Sequence, residues 1–164
     1  MAVSTIDNSG ISASAGISTS KLGTGAVLQV VQASTTSTTT TTSNAFVDTS
    51  LSASITPLFS TSKILVNLTT IIYCTRGAFS AGGKMQLVRN STNLITQSDS
   101  SVYMSATGAS ACEIIQQPTF QYLDSPATTS STTYKIQFGV NSGTTGYFSW
   151  NGNPSYLTLT EIAG

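Results

Sequence analysis

The sequence predicts an all-β protein, an antiparallel β-sandwich of jelly-roll type with about eight strands. Three observations support this prediction: apolar and polar residues alternate with a period of two, Thr and Ser fill most polar positions, and turn residues separate the alternating segments. Thr is β-branched and favours strands, and no window is dominated by strong helix formers. The close spacing of the turns leaves no room for the helical crossovers of a parallel sheet.

Size and composition indicate a single domain. A chain of 164 residues can bury its own core without a disulfide or a metal. Only 7% of the residues are charged, against roughly 25% in ordinary soluble domains. The formal net charge is +0, which gives no colloidal protection and favours a protein fixed in a larger assembly over a free cytosolic enzyme.

The predicted strands follow one another from residue 26 to the C-terminal end. They are AVLQVVQ (26–32), LSASIT (51–56), KILVNLTTIIYC (63–74), KMQLVRN (84–90), EIIQQPTFQYLD (113–124), TTYKIQFGV (132–140) and YLTLTEI (156–162). Segment 63–74 is apolar on both faces, which predicts one long central strand. In segment 132–140 one face is apolar and the other polar. Pro118 directs segment 113–124 to an edge strand or a bulge.

The Thr/Ser run at residues 35–42 contains no Pro, and the segment before it is too short to be a domain. We interpret this run as a solvent-facing edge strand, or a strand–loop–strand, of the single domain; a linker between two modules is the alternative. Residues 1–24 carry isolated aliphatic residues in a Ser/Gly/Ala background. They predict an extended N-terminal docking arm ahead of a domain at 25–164, with a disordered tail as the alternative. The candidate docking residues are Val3, Ile6, Ile11 and Ile17.

Catalytic chemistry finds little support in the sequence. The chain has no His, so a serine nucleophile would lack its usual base. A glycosidase pair formed by two of Asp99, Glu113 and Asp124 stays open, although each is more simply a turn or edge residue. Cys74 and Cys112 are predicted to be buried free thiols, with a disulfide as the alternative. We expect no enzyme activity, no cofactor and no metal site.

Other binding classes are also disfavoured. The stretch GAFSAGGK (77–84) has Ala78 and Met85 where a phosphate loop needs Gly and a hydroxyl residue, and we interpret it as a flexible hairpin loop. The six basic residues are scattered, which argues against nucleic acid. The N-terminal segment lacks the pattern of an export signal, and no apolar run reaches about 18 residues. We therefore expect neither export nor membrane insertion.

An aromatic segment lies near the C-terminal end, in GYFSWNGNPSY (146–156). Aromatic rings among Asn and Gly are typical of loops that stack on sugars or anchor a partner. The alternative is that these rings cap the end of the core.

The order of several segments resembles the C-terminal, knob-like jelly-roll domain of bacteriophage tail-fibre and related virion structural proteins. The segments are TSKLGTGAVLQVV (19–31), VDTSLSASITPLFSTSKILVNL (47–68), LVRNSTNLI (87–95), YLDSPATTSSTTYKIQFGV (122–140) and YLTLTEIAG (156–164). The resemblance covers roughly residues 20–164 and implies a homotrimer, in which the second apolar face of segment 63–74 would lie between protomers. The candidate interface residues are Leu65, Ile71 and Tyr73.

The resemblance implies a non-enzymatic role on the virion surface, as a trimeric fibre or knob for host attachment. The N-terminal arm would bind another virion protein of the tail or capsid, and exposed loops would contact a host surface glycan. The candidate contact residues are Arg76, Phe79, Lys84, Tyr147, Trp150 and Tyr156. The alternative is a capsid decoration, or cement, protein that stabilises the head shell.

Overall fold

The structure, a computed structural model, describes residues 22–108 and 110–164, and of these the side chains of residues 98–100 are not described. The predicted arm residues Val3, Ile6, Ile11 and Ile17 lie outside the described residues. In the described part of the chain there are twelve strands and a short 3₁₀-helix, Trp150–Gly152. The strands are β1 (Val27–Thr35), β2 (Thr39–Thr41), β3 (Val47–Ile55), β4 (Lys63–Thr69), β5 (Ile72–Arg76), β6 (Ala81–Arg89), β7 (Thr92–Met104), β8 (Cys112–Gln116), β9 (Thr119–Asp124), β10 (Thr132–Val140), β11 (Thr145–Phe148) and β12 (Ser155–Ile162).

The strands form three antiparallel sheets with matching strand orders. Sheet A has the order β1-β12-β4-β9, sheet B has β2-β11-β5-β8, and sheet C has β3-β10-β6-β7. Three strands that are consecutive in the chain occupy the same place in the order of each sheet, so they form one continuous path through all three sheets. The four paths are β1–β2–β3, β12–β11–β10, β4–β5–β6 and β9–β8–β7. A four-stranded ribbon of this kind, bent so that sheets A and C enclose a core, has the path of a jelly roll. The predicted all-β sandwich is confirmed.

The core is filled from both facing sheets by the residues that the alternation placed inward. Leu51 and Ile55 of sheet C are buried in one cluster with Val66, Leu68 and Leu157 of sheet A. The inward face of β10, predicted from its alternation, is also confirmed. Its buried apolar residues are Tyr134, Ile136, Phe138 and Val140.

Segment 63–74 is not one long strand, as predicted, but two strands that belong to sheets A and B. The chain bends at Thr70 and Ile71, between β4 and β5, although the buried face continues across the bend from Leu68 to Ile72. The alternation persists because both strands bury the same side, so it carries no signal of the bend. This is why twelve strands are observed where about eight were predicted: the two facing sheets hold eight, and the bend adds sheet B.

Buried hydroxyl groups line the bend between sheets A and B. Thr70 Oγ1 lies 2.6 Å from Ser155 Oγ, and Ser149 Oγ lies 2.6 Å from the same Ser155 Oγ. All three residues are buried, and the Thr70 amide donates to the carbonyl of Pro118 on the neighbouring path. Buried polar groups must be hydrogen-bonded. The hydroxyl cluster therefore joins two of the four paths where they turn, and the Thr70 amide joins a third.

The Thr/Ser run forms a strand–loop–strand at the edge of the ribbon, as predicted. β1 is the edge strand of sheet A and β2 is the edge strand of sheet B. Thr35 Oγ1 lies 2.9 Å from Ser50 Oγ of β3, which links the edges of sheets A and C. β2 has only three residues, and an edge strand this short offers little backbone to a foreign strand, which protects the edge of sheet B. The edge position predicted for the Pro118 segment is confirmed for β8 and β9.

The stretch 77–84 is not a hairpin loop. Only residues 77–80 form a loop, and Ala81–Arg89 is strand β6, which lies in a different sheet from β5. Gly82 and Gly83 are buried, and a Cβ added at Gly83 would lie 3.0 Å from Cys74 Sγ. The two glycines therefore serve close packing rather than a turn. Cys74 and Cys112 are buried free thiols, as predicted.

An ion pair joins the far ends of sheets A and C. Arg89 Nη1 lies 2.9 and 2.8 Å from the two carboxylate oxygens of Asp124, and the Tyr134 hydroxyl donates to Asp124 Oδ2 at 2.6 Å. Burial, followed by the neighbouring Asp124 carboxylate, raises the pKa of Tyr134. Asp124 is thus committed to a structural link.

A second buried carboxylate holds the loop between β3 and β4. Glu161 Oε1 accepts the Leu58 amide at 2.7 Å, and Glu161 Oε2 accepts Gln29 Nε2 at 2.6 Å. Burial raises the pKa of Glu161, but hydrogen bonds from Gln29 and the Leu58 and Phe59 amides to the charged form lower it, and the net direction is downward. The charged form therefore stabilises the fold.

We predict that Glu161→Gln lowers stability near pH 7 by about 1–3 kcal/mol, because one amide oxygen cannot satisfy both donors. A carboxyl whose pKa is lowered on folding contributes stability above its unfolded pKa and loses it as pH falls through the folded value. Thermal melts should therefore show a difference in melting temperature between wild type and variant at neutral pH. This difference should narrow as the pH falls below 4.5, the ordinary pKa of a Glu carboxyl. Asp48→Asn, at a solvent-exposed pair with Lys135, is the control and should change little. A difference in melting temperature that stays constant down to pH 3 would contradict this account.

We also predict that Gly146→Ala destabilises the fold by about 1–3 kcal/mol through overpacking. A Cβ at this position in β11 would clash with Val140 and lie 2.8 Å from Cζ of Phe138. Gly23→Ala is the matched control, since nothing lies within 4 Å of the added atom. Chemical denaturation should separate the two variants, and equal midpoints would refute the packing argument.

Candidate functional site

The outer face of sheet B carries an unusual set of side chains. Strand pairing places Tyr147 between Thr40 and Tyr73, and Tyr73 in turn beside Ile115. The next row across the same face consists of Thr145, Thr75 and Glu113. Gly146 and Phe148, which alternate with these residues, are buried on the opposite face. One face of sheet B therefore builds the core at the bend, and the other presents aromatic and hydroxyl groups.

Three rings gather on this face, and we call Tyr73, Tyr147 and Trp150 the aromatic cluster. The ring centroids lie 5.4 Å apart for Tyr73 and Tyr147, 4.5 Å for Tyr73 and Trp150, and 4.7 Å for Tyr147 and Trp150. These separations lie in or near the favourable range for aromatic pairs. All three residues are half-buried, so each ring still offers surface to a ligand.

Tyr73 shares its face of sheet B with Thr75, two positions further along β5, and with Glu113, which pairs with Thr75. Hydrogen bonding to Thr75 lowers the pKa of Tyr73, but burial and the nearby Glu113 and Tyr147 raise it, and the net direction is upward. The hydroxyl therefore remains protonated at neutral pH. It acts as a neutral polar group at the centre of the cluster.

Trp150 is held by a strained turn between β11 and β12. Ser149 and Asn151 adopt left-handed conformations with φ of 56° and 58°. Asn adopts this conformation readily, whereas in Ser149 it costs roughly 1 kcal/mol or more. The Trp150 amide donates to the carbonyl of Ile71, and the Trp150 carbonyl accepts both the backbone amide and Nδ2 of Asn153. These bonds fix the backbone of Trp150, and the indole ring packs against Tyr73 and Tyr147.

The predicted contact residues lie on separate surfaces. Tyr147 and Trp150 come together in the aromatic cluster, whereas Tyr156 lies on the outer face of sheet A, where it pairs with Thr69. Arg76 and Phe79 contact each other at the loop after β5, with the guanidinium 5.8 Å from the ring centroid. Lys84 Nζ lies 2.8 Å from Asn44 Oδ1 and 5.1 Å from the Phe46 ring centroid.

The predicted interface residues are likewise divided. Tyr73 belongs to the aromatic cluster, Ile71 is half-buried at the bend, and Leu65 lies on the outer face of sheet A. Strand pairing places Leu65 beside Leu123, and it links Leu65 through Thr160 to Val30. We call Val30, Leu65 and Leu123 the apolar row. Val30 is 58% exposed and Leu123 is 48% exposed.

Sequence reasoning missed Val30, Leu123 and Ile115. Ile115 is 61% exposed and lies next to the aromatic cluster. Each of these residues is unremarkable within its own strand. Their grouping follows only from the register between strands, which a single sequence does not reveal.

The charges of sheet B are few. Its strands carry only Arg76 and Glu113 as charged residues, and the Arg76 guanidinium turns away to donate to the carbonyl of Ser80 at 3.2 Å. Glu113 is therefore the charge beside the aromatic cluster. It is one of the three carboxylates considered for a glycosidase pair, whereas Asp124 is occupied by Arg89 and Tyr134. Within residues 22–108 and 110–164, no three metal-ligating side chains converge, and no helix has the length and hydropathy to cross a membrane.

Comparisons with known proteins give a distant similarity of fold alone. No protein-family model matches the sequence, and no curated protein matches it. Among solved structures, the chain is similar to one from the infectious bursal disease virus Gx strain, with 9% identity and a TM-score of 0.36 over 84% of this chain and 38% of that one. A chain of the T13 particle of that virus has 10% identity and a TM-score of 0.35, over 84% of this chain and 36% of that one. A mutant VP2 protein of that virus, from derived T=1 particles, has 12% identity and a TM-score of 0.33, over 82% of this chain and 37% of that one. The present chain thus spans little more than a third of the length of these viral chains.

Proposed function

We propose that this protein is a non-enzymatic structural protein of a bacteriophage virion, displayed on the particle surface as a homotrimer for host attachment. The observation that supports self-assembly is the apolar row on the outer face of sheet A. The row on one side of it is entirely polar and consists of Gln32, Thr158, Asn67 and Gln121. On the other side lie Ile162 and Val27, which is 56% exposed. Apolar side chains are therefore concentrated towards this end of the outer face of sheet A, and such a concentration marks an interaction surface.

The low charge of the protein strengthens this proposal. Of its 164 residues, only six are acidic and six basic. Asp48 pairs with Lys135 and Asp124 pairs with Arg89, and Glu161 is fully buried. Little charge is left to keep separate copies of the chain apart in solution. A second and a third copy covering the apolar row would remove it from water.

The separation of two surfaces favours attachment over decoration. The apolar row lies on sheet A, whereas the aromatic cluster lies on sheet B, beyond the bend. One surface can therefore be buried in an assembly while the other remains accessible. A capsid decoration protein would need contacts with several shell subunits but no second recognition surface.

Native mass spectrometry or light scattering at micromolar concentration tests the assembly. We expect three times the chain mass of 16.9 kDa. The double variant Leu65→Asn/Leu123→Asn should be monomeric, because it places amides in the apolar row. Ile115→Asn, which changes an exposed apolar residue outside that row, should remain trimeric. A wild-type monomer, or a double variant that stays trimeric, would contradict the proposed interface.

Binding of the purified protein to intact host cells and to empty capsids separates the two roles. Attachment predicts retention on cells and none on capsids. Saturable binding to capsids without binding to cells would overturn attachment and establish the decoration role instead.

A further inference from the structure

We infer that the aromatic cluster and the polar residues around it form a binding site for an uncharged saccharide. The site names the surface chemistry of the attachment role proposed above, and it rests on that role for its biological meaning. The evidence comes from the rings, the hydroxyl groups beside them, the local charge and the strained turn that holds Trp150.

The rings supply the apolar part of the site. A sugar ring has a face of C–H groups, and amphipathic ligands of this kind pack against Trp and Tyr. The three rings contact one another over centroid distances of 4.5 to 5.4 Å, and the exposed Ile115 extends the same surface beyond Tyr73. A contiguous apolar area of this form lies at the surface of an otherwise hydroxyl-rich sheet.

The hydroxyl groups supply the polar part. Thr40 flanks Tyr147, and Thr75 and Thr145 lie in the adjacent row. Each hydroxyl both donates and accepts, and the Glu113 carboxylate accepts. Sugar hydroxyls, which also donate and accept, can form hydrogen bonds with these Thr and Glu side chains while the C–H face of the sugar ring covers the aromatic cluster. Small-molecule sites commonly combine an apolar lining with a few placed polar groups in this way.

The charge selects among ligands. Glu113 is the charge beside the aromatic cluster, and the Arg76 side chain is turned to Ser80. A site of this kind repels sialic or uronic acids and the phosphates of nucleic acid, and it accepts neutral sugars.

The turn that carries Trp150 is prepared in advance. The left-handed conformation of Ser149 is costly, and hydrogen bonds from Asn153 and to Ile71 hold the Trp150 backbone, while the indole ring packs against Tyr73 and Tyr147. Backbone strain that persists in a stable fold is found preferentially at functional positions. A ring fixed in this way loses little entropy on binding.

Trp150 is the single Trp of the chain, so tryptophan fluorescence reports directly on the proposed site. The probes are maltohexaose, chitohexaose and a hexamer of galacturonic acid, titrated to millimolar concentration. We expect a saturable change in emission with at least one of the two neutral probes and none with the acid. Tyr147→Ala should weaken that binding roughly tenfold or more, whereas Tyr156→Ala, on the outer face of sheet A, should leave it unchanged.

Three further variants extend the test and separate loss of binding from loss of folding. Trp150→Phe keeps an aromatic ring and should retain part of the affinity in calorimetry, whereas Trp150→Ala should lose it while melting as a folded protein. Glu113→Gln should admit the acidic probe. Absence of saturable binding of both neutral probes to the folded wild type, or equal affinity in the Tyr147→Ala variant, would overturn the inference.

The outcome separates this site from the proposed function. Binding of a neutral probe by a protein that does not attach to host cells would sustain the site and remove the attachment role. Attachment to cells by a protein that binds neither neutral probe would sustain the role and overturn the site.

Discussion

The fold depends on how four strand paths bend together. A ribbon of antiparallel strands can wrap around a core only if all four paths turn at the same level, and a turn interrupts the hydrogen-bond ladder at each strand. In this protein the buried hydroxyl groups of Thr70, Ser149 and Ser155 satisfy one another at that level. A hydroxyl can do this in little space, which is a physical use for the abundant Ser and Thr beyond coating the surface.

The same bend creates the candidate site. Turning the ribbon brings β5 and β11 side by side in sheet B, with Tyr73 opposite Tyr147. The inner side of these strands packs Phe148 against Phe138, with centroids 6.2 Å apart, and the outer side presents the aromatic cluster. Because Ser149 belongs to the hydroxyl cluster and directly precedes Trp150, the position of the indole ring is coupled to the closure of the fold.

Most of the core was predictable from the sequence, because alternation depends on local periodicity and the inward residues of β4 and β10 obey it. The bend at Thr70 was not predictable, since the buried face runs through it without a change of period. Gly82 and Gly83 indicate a turn by composition, yet they serve contacts with residues distant in sequence. Tyr147 and Trp150 were recognised as a group from their proximity in the chain, whereas Tyr73 and Ile115 join them only through strand register.

The central claim is that the buried hydroxyl cluster holds the bend and thereby the aromatic cluster. The most direct measurement is the stability and native Trp150 emission of Ser155→Ala, with Ser54→Ala, at an exposed hydroxyl pair with Thr133, as the control. We predict a loss of about 1–3 kcal/mol in unfolding free energy for Ser155→Ala, together with a red shift of the native emission, and little change for Ser54→Ala. Equal stability and identical emission spectra for the two variants would contradict the claim.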